Sequence, residues 1–110
     1  ILLEINVGNE ASKSGFSLSQ IEEILEQMGK FPAIRVRGFM AIPPICQNPT
    51  DNHKFFQEMC NLSVDITAKK YDNVSVEIMS MGMSDDFTDA IACGSTMIRV
   101  GTAIFGARGY

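Results

Sequence analysis

The chain has 110 residues, 45% of them hydrophobic and 20% charged, a composition ordinary for one soluble globular unit. Its formal net charge of −4 argues against nucleic-acid binding, because such affinity rests on clustered lysine and arginine. No apolar run reaches the roughly 18–20 residues that a membrane span requires. The three cysteines, Cys46, Cys60 and Cys93, show no CxxC spacing, so they indicate neither a disulfide framework nor a zinc site, and they suit a reducing cytoplasm.

Four short apolar runs are predicted to form β-strands, because they are rich in β-branched residues and are bounded by Gly, Pro or Asn. They cover residues 1–7, 34–40, 74–81 and 97–100. Stretches with helical periodicity separate them, so strands and helices alternate along the chain.

Three helices are predicted between these strands. The first begins at Ser17, which has the spacing of a capping box with Gln20 three residues later. The second covers about residues 51–70, where apolar side chains recur every three or four positions. The third is short, with Ser84 as its predicted N-cap. A further helical turn is predicted from Gly101 onward.

The alternation of elements predicts parallel pairing of the strands through right-handed crossovers. Two architectures fit this order: a small open α/β sheet, or part of a (β/α)8 barrel. A complete barrel needs roughly 200–250 residues, so the four βα units of this chain would supply about half of one.

The candidate ligand site lies at the carboxyl ends of the third and fourth strands, where parallel α/β folds gather their ligands. Ser84 offers a hydroxyl and a backbone N–H group at a predicted helix start, and Gly101 and Thr102 offer two N–H groups and a second hydroxyl. Unpaired N–H donors at helix starts favour a phosphate group. The alternative is that Ser84 only caps its helix and that Gly101 only permits a tight turn.

Three other polar residues are candidates with an open assignment. Lys13 lies in a short turn at the same sheet edge, either as an anion contact or as a solvated loop lysine. Arg99 lies inside an apolar strand, so its guanidinium needs partners, which are either a cofactor group or an acidic residue of the sheet. His53 is the one histidine of the chain and has no partner evident from the sequence, which argues against a catalytic role.

These regions resemble the pyridoxal-phosphate homeostasis protein family over essentially the whole chain. The resemblance is carried by SKSG at 12–15, RGFMAIP at 37–43, SMGMSDDF at 80–87 and IRVGTAIFGAR at 98–108. Four motifs in the right order and at compatible spacing make this resemblance specific.

The resemblance implies a binding site for pyridoxal 5′-phosphate in a barrel like that of alanine racemase. It implies that Ser84, Gly101 and Thr102 form the phosphate cup, that Met83 and Arg99 lie beside the cofactor, and that Lys13 is near the site. It also implies a role in vitamin B6 and amino-acid homeostasis without established catalytic activity.

The resemblance further implies that residues 1–110 are the C-terminal half of the barrel, strands five to eight, with the N-terminal half absent. The lysine that forms a Schiff base with the cofactor would belong to that half and not to this chain. A half barrel leaves open sheet edges, so we expect it to pair with the missing half or with its own copy.

Two enzyme functions are the alternatives. A pyridoxal-phosphate-dependent racemase would need a second acid–base residue, typically a tyrosine, and Tyr71 and Tyr110 are not well placed for this role. A barrel enzyme acting on a sugar phosphate would need paired carboxylates, or a carboxylate and a histidine, at the strand ends. The predicted strand ends offer neither.

Overall fold

The computed structural model describes residues 1–44 and 49–109, with side chains from residue 51 onward in the second range. Cys46 and Tyr110 therefore lie outside the described residues. The elements, in chain order, are β1 (Leu2–Ile5), a 3₁₀ turn (Leu18–Gln20), α1 (Ile21–Met28), β2 (Val36–Ala41), α2 (Pro49–Lys69), β3 (Val74–Met83), α3 (Phe87–Ala92), β4 (Met97–Arg99) and α4 (Thr102–Phe105). The predicted alternation of strands and helices is confirmed.

The four strands form one parallel sheet in the order β1-β2-β3-β4. Because all strands run in the same direction, their carboxyl ends lie at one edge of the sheet. This edge, called the carboxyl edge below, is followed in the chain by the turns that carry the predicted site residues.

The assignment to strands five to eight of a barrel requires correction. The described strands form an open α/β sheet with β1 and β4 as its two edge strands, and Phe16 covers the outer side of β1 through hydrogen bonds to Glu4 and Asn6. A chain of consecutive βα units places each strand beside the next one, and this pattern alone does not specify a closed barrel or a position within it.

The core lies between the sheet and the helices. The face of α2 that is buried carries Phe56, Met59 and Ile66, whose spacing follows the 3.6-residue period of the helix. These side chains belong to one cluster with Phe39 of β2 and Met81 of β3. None of the helices in the described part of the chain has the length and apolarity that crossing a bilayer demands.

The predicted start of the first helix is confirmed at Ser17. The side-chain oxygen of Gln20 accepts a 3.0 Å hydrogen bond from the Ser17 N–H group, which is one half of a capping box. The first turn is a 3₁₀ helix, and the α-helix continues it to Met28.

The predicted N-cap of the third helix is wrong. Strand β3 extends to Met83, and α3 begins at Phe87 with Asp86 in the N-cap position. The Asp86 carboxylate turns back and accepts a 2.8 Å hydrogen bond from the Met83 N–H group. This bond closes the turn after β3 and leaves Ser84 outside the helix. The Ser84 hydroxyl contacts the turn after β4 instead.

A β-bulge interrupts the pairing of β2 with β3. Val36 is opposite Val74, but Gly38 is opposite Ile78, so two steps along β2 match four along β3. Gly38 has a φ of +155°, and a Cβ atom there would overlap the Ile78 carbonyl group. Glycine is required at this position because the two backbones approach so closely.

Candidate anion site at the carboxyl edge

Ser84 connects the turns that follow β3 and β4. Its Oγ accepts hydrogen bonds from the N–H groups of Gly101 and Ala103, each at 3.1 Å. The two turns that were predicted to share a site are therefore in direct contact. The sequence did not predict the role of Ala103, because an alanine carries no side-chain signal for a backbone donor.

The hydrogen bonds to Ser84 determine which polar groups remain for a ligand. A hydroxyl has two acceptor lone pairs and one O–H donor, so the two N–H groups use the acceptors and leave the donor. Thr102 is the first residue of α4, and a helix has no internal partner for the N–H group of its first residue. The donors that these bonds leave at the two turns are the Ser84 O–H, the Thr102 N–H and the Thr102 hydroxyl, and donors of this kind suit an anion.

Arg99 extends across the sheet near the carboxyl edge. Its Nε donates a 3.2 Å hydrogen bond to Ser80 Oγ, and a terminal nitrogen donates a 3.0 Å bond to the Ala41 carbonyl oxygen. The same nitrogen lies 3.5 Å from the Ser80 carbonyl oxygen. Its described partners are thus neutral, and the acidic partner that the sequence left open is not among them.

Lys13 holds the turn after β1 against the end of β2. Its Nζ lies 2.7 Å from Glu10 Oε2 and donates to the carbonyl oxygens of Ile42 and Pro43, at 3.4 and 3.2 Å. Lys13 is half-buried. The ammonium group is therefore tied to the carboxyl edge, and the assignment of Lys13 as an anion contact stays a prediction.

Met83 ends β3 with an exposed side chain, next to Ser84. Its backbone is fixed by Asp86, which also accepts a 2.9 Å hydrogen bond from Asn52 of α2. Asn52 is buried, so α2 supports the turn that carries Met83 and Ser84.

Six residues were predicted for the site, and all of them follow or end strands at the carboxyl edge. Ser84 contacts Gly101 and Ala103, Thr102 lies between these two in the chain, and Met83 directly precedes Ser84. Arg99 is paired with Met83 in the sheet, while the side chains of Arg99 and Lys13 donate to successive carbonyl groups, at Ala41 and at Ile42 and Pro43.

Sequence reasoning missed two residues that support the site, Ser80 and Asp86. Ser80 is a buried polar residue in an apolar strand, and such a residue signals a partner, although the sequence alone does not name it as Arg99. Tyr71 lies before the amino end of β3, at the opposite edge of the sheet from Ser84.

The parallel sheet and the helices between its strands define an α/β domain, and the donors at its carboxyl edge form a candidate anion site. The chain belongs to the family whose model is described as "Alanine racemase, N-terminal domain", which matches residues 1–109.

Three similar proteins support this placement. The chain is 40% identical over 111 residues to the "Pyridoxal phosphate homeostasis protein" of Escherichia coli (strain K12), a match that covers 100% of this chain and 46% of that protein. A crystal structure of an unknown protein from Bifidobacterium adolescentis matches with a TM-score of 0.86 and 35% identity over 94% of this chain and 42% of that one. PipY of Synechococcus elongatus PCC7942, solved with PLP bound, matches with a TM-score of 0.80 and 25% identity over 96% of this chain and 48% of that one.

The comparisons overturn the predicted fold class. The chain was expected to be the C-terminal half of an eight-stranded barrel, but the matching family model is that of an N-terminal domain, and the described fold is an open sheet of four parallel strands. The chain spans about half the length of the curated relatives that it matches.

Proposed function

We propose that this chain binds pyridoxal 5′-phosphate through the phosphate group and that it acts in the homeostasis of this cofactor rather than in turnover. The observation that carries the proposal is the contact of Ser84 with Gly101 and Ala103, which joins two turns around a set of donors. The names of the similar proteins, which refer to pyridoxal phosphate homeostasis and to a PLP-bound structure, support the choice of anion.

In this proposal the phosphate is bound by the Ser84 hydroxyl and by the N–H and hydroxyl groups of Thr102. The space in front of the Gly101 backbone is open, because no atom of the described residues, apart from its neighbours in the chain, lies within 4 Å of the position that a Cβ would take. Hydrogen bonds to a charged partner contribute about 1.5–3 kcal/mol each. Two or three of them suffice to hold a phosphate monoester without a lysine.

The remaining predicted residues have positioning roles in this proposal. Arg99 holds the end of β2 to β3 and β4, and its guanidinium gives the carboxyl edge a fixed positive charge. Lys13 does the same between the turn after β1 and the end of β2. Met83 offers an apolar surface beside the phosphate donors for the ring of the cofactor. When bound, the cofactor supplies an aldehyde that reacts with amines.

The proposed phosphate site is tested by comparing pyridoxal 5′-phosphate with unphosphorylated pyridoxal as ligands of the purified chain. Because Ser84→Ala with Thr102→Val removes two donors, we expect the affinity for the phosphorylated form to fall by about tenfold or more, since 1.4 kcal/mol corresponds to tenfold. The affinity for pyridoxal is expected to stay unchanged. Calorimetric titration measures both.

Ser63→Ala with Thr67→Val is the matched control, because it removes the same two groups from α2, away from the carboxyl edge. We expect this variant to bind both ligands as the parent does. Equal affinity of the Ser84/Thr102 variant and the parent for pyridoxal 5′-phosphate would contradict the phosphate assignment. Amino-acid racemisation well above the buffer rate would contradict the homeostasis role.

A further inference from the structure

Three potential metal ligands meet between α2 and α3, outside the proposed phosphate site. His53 Nδ1 of α2 lies 2.9 Å from Asp89 Oδ1 and 3.4 Å from Cys93 Sγ. Asp89 lies in α3 and Cys93 ends it, and the four-residue spacing places both on the face that meets α2. The ligand atoms of all three residues lie within 4.8 Å of one another.

This arrangement does not suit nucleophilic catalysis. In a Cys-His-Asp triad, the nucleophile and the acid bind different ring nitrogens, so that a proton can pass across the imidazole. Here Asp89 and Cys93 share the same atom, Nδ1.

The distances suit a tetrahedral metal ion better. With Zn–N near 2.0–2.1 Å, Zn–O near 2.0–2.2 Å and Zn–S near 2.3 Å, ligand atoms in a tetrahedral site are separated by roughly 3.4–3.6 Å. The His53–Cys93 separation of 3.4 Å already has this value, and the His53–Asp89 hydrogen bond needs to lengthen by about half an ångström. The ligand atoms of the third pair, Asp89 and Cys93, lie within 4.8 Å of each other, so metal binding requires side-chain movement that brings all three pairs into the same range.

Asp89 provides a second, independent indication. Its other carboxylate oxygen, Oδ2, is shielded from solvent and has no hydrogen-bond partner among the described residues. A buried carboxylate oxygen without a partner costs free energy unless a cation or a donor compensates it. The Asp89 side chain as a whole is 32% exposed, and a metal ion held by both of its oxygens would supply that compensation.

We propose that His53, Asp89 and Cys93 form a binding site for a borderline-soft divalent cation of the Zn²⁺ class. One thiolate, one imidazole and one carboxylate favour zinc or cobalt over magnesium or calcium, which prefer oxygen ligands alone. Binding replaces the Cys93 thiol proton with the metal and releases that proton to solvent, while the imidazole keeps its remaining proton on Nε2. The sequence did not predict this site, because its ligands come from two helices and therefore show no CxxC spacing.

The site would also stabilise the carboxyl edge. Asn52, the residue before His53, holds Asp86, and Asp86 holds the Met83 backbone next to Ser84. A metal ion bound by both α2 and α3 would add a second link between the two helices, next to the hydrogen bond between Asn52 and Asp86.

Titration of the purified chain with Co²⁺ tests the proposal, because cobalt reports its ligands by absorption. We expect one equivalent to produce a thiolate-to-cobalt charge-transfer band in the near ultraviolet, and Zn²⁺ to remove this band by displacement. Cys93→Ser is expected to abolish the band, and His53→Gln and Asp89→Asn to weaken Co²⁺ binding by about tenfold or more. Asp72→Asn, an exposed acid beyond the far end of α2, is the matched control and is expected to bind as the parent does.

Thermal unfolding with and without Zn²⁺ distinguishes a variant that folds but no longer binds the metal from a variant that does not fold. We expect Zn²⁺ to raise the Tm of the parent and of Asp72→Asn but not that of Cys93→Ser, with all variants showing the same far-ultraviolet circular dichroism before metal is added. A parent chain that gives no charge-transfer band would overturn the proposal. A band that persists in Cys93→Ser, or that His53→Gln and Asp89→Asn leave at full affinity, would overturn it as well.

Discussion

Arg99 donates a 3.0 Å hydrogen bond to the backbone carbonyl of Ala41, at the end of a strand two positions away in the sheet. The guanidinium crosses β3 on the way and also binds Ser80 Oγ. One side chain thus joins three strands near their carboxyl ends. The turns that carry the proposed phosphate site follow the strands at this carboxyl edge.

The first prediction concerns the stability that Arg99 provides. Arg99→Met keeps most of the aliphatic stem but leaves the Ala41 carbonyl and the Ser80 hydroxyl without their donor. Buried acceptors that lose a partner cost about 1–3 kcal/mol, so we expect the free energy of unfolding to fall by about that amount. Urea denaturation followed by circular dichroism measures it.

Arg37→Met is the matched control, because Arg37 also lies on a strand but points to solvent and pairs with Glu77. Exposed ion pairs contribute about 0–1 kcal/mol, so this change should be clearly smaller. Equal losses for the two arginines would show that the Arg99 bonds do not hold the edge.

The second prediction is a pH dependence at the Arg37–Glu77 pair. The hydrogen bond from Arg37, and then its positive charge, lowers the pKa of the Glu77 carboxyl below its ordinary value. A carboxyl whose pKa is lower in the folded chain adds stability above the unfolded pKa, and this stability is lost as pH falls through the folded pKa. The pair is exposed, so the effect is small and is best read directly from the titration of the carboxyl.

Nuclear magnetic resonance titration of the Glu77 side-chain carboxyl carbon measures this pKa. We expect Arg37→Met to raise it, and Arg35→Met to raise it less, because Arg35 acts only through its charge. If Arg35→Met had the larger effect, the hydrogen bond would not be the main cause.

The strands, the long helix and the edge of the sheet that bears the site could be predicted from the sequence. Apolar runs of β-branched residues and the signals at Ser17 and Gln20 are local, and local patterns determine where elements begin. The meeting of Ser84 with the turn at Gly101 was also predictable, because successive parallel strands end side by side.

Other features could not be predicted, because they depend on contacts between residues distant in sequence. Ser84 was expected to cap a helix, but the carboxylate of Asp86 closes the turn first and moves the helix start to Phe87. The partners of Arg99 lie on two other strands, and those of His53 lie about 40 residues away along the chain. The βα pattern left an open sheet and part of a barrel as alternatives, because it specifies neighbouring strands but not closure. The resemblance chose the C-terminal half of the barrel, and the match to the model of an N-terminal domain overturns that choice.

The third prediction concerns the bulge at Gly38. Gly38→Ala would force a Cβ atom into the Ile78 carbonyl at a φ that side chains rarely adopt, so the two strands must separate locally. We expect a loss of stability on the order of 3 kcal/mol or more, measured by urea denaturation.

Gly29→Ala is the control for this substitution. Gly29 ends α1 with a φ of −60°, and a Cβ there would make only ordinary contacts, at 3.5 Å or beyond. Alanine fits this conformation and restricts the unfolded chain, so we expect no loss, or a gain of about 0.4–1 kcal/mol. A neutral Gly38→Ala would show that β2 and β3 do not approach as closely as described.

The last prediction is self-association of the purified chain. The edge strand β1 is partly covered by Phe16, which leaves β4 as the more open edge of the described sheet, and open strand edges pair readily with other chains. Just beyond β4, the side chains of Ile104 and Phe105 are 68% and 85% exposed. We expect sedimentation velocity to show a dimer or a larger assembly at micromolar concentration. The double variant Ile104→Ser with Phe105→Ser should shift this assembly towards monomer, because it removes exposed apolar surface next to the edge strand β4. Val64→Ser, at an equally exposed apolar position on α2, should leave the assembly unchanged. A chain that sediments as a monomer over the whole concentration range would contradict this prediction. Neither the strand edges nor the apolar residues beside β4 would then bind a second copy of the chain.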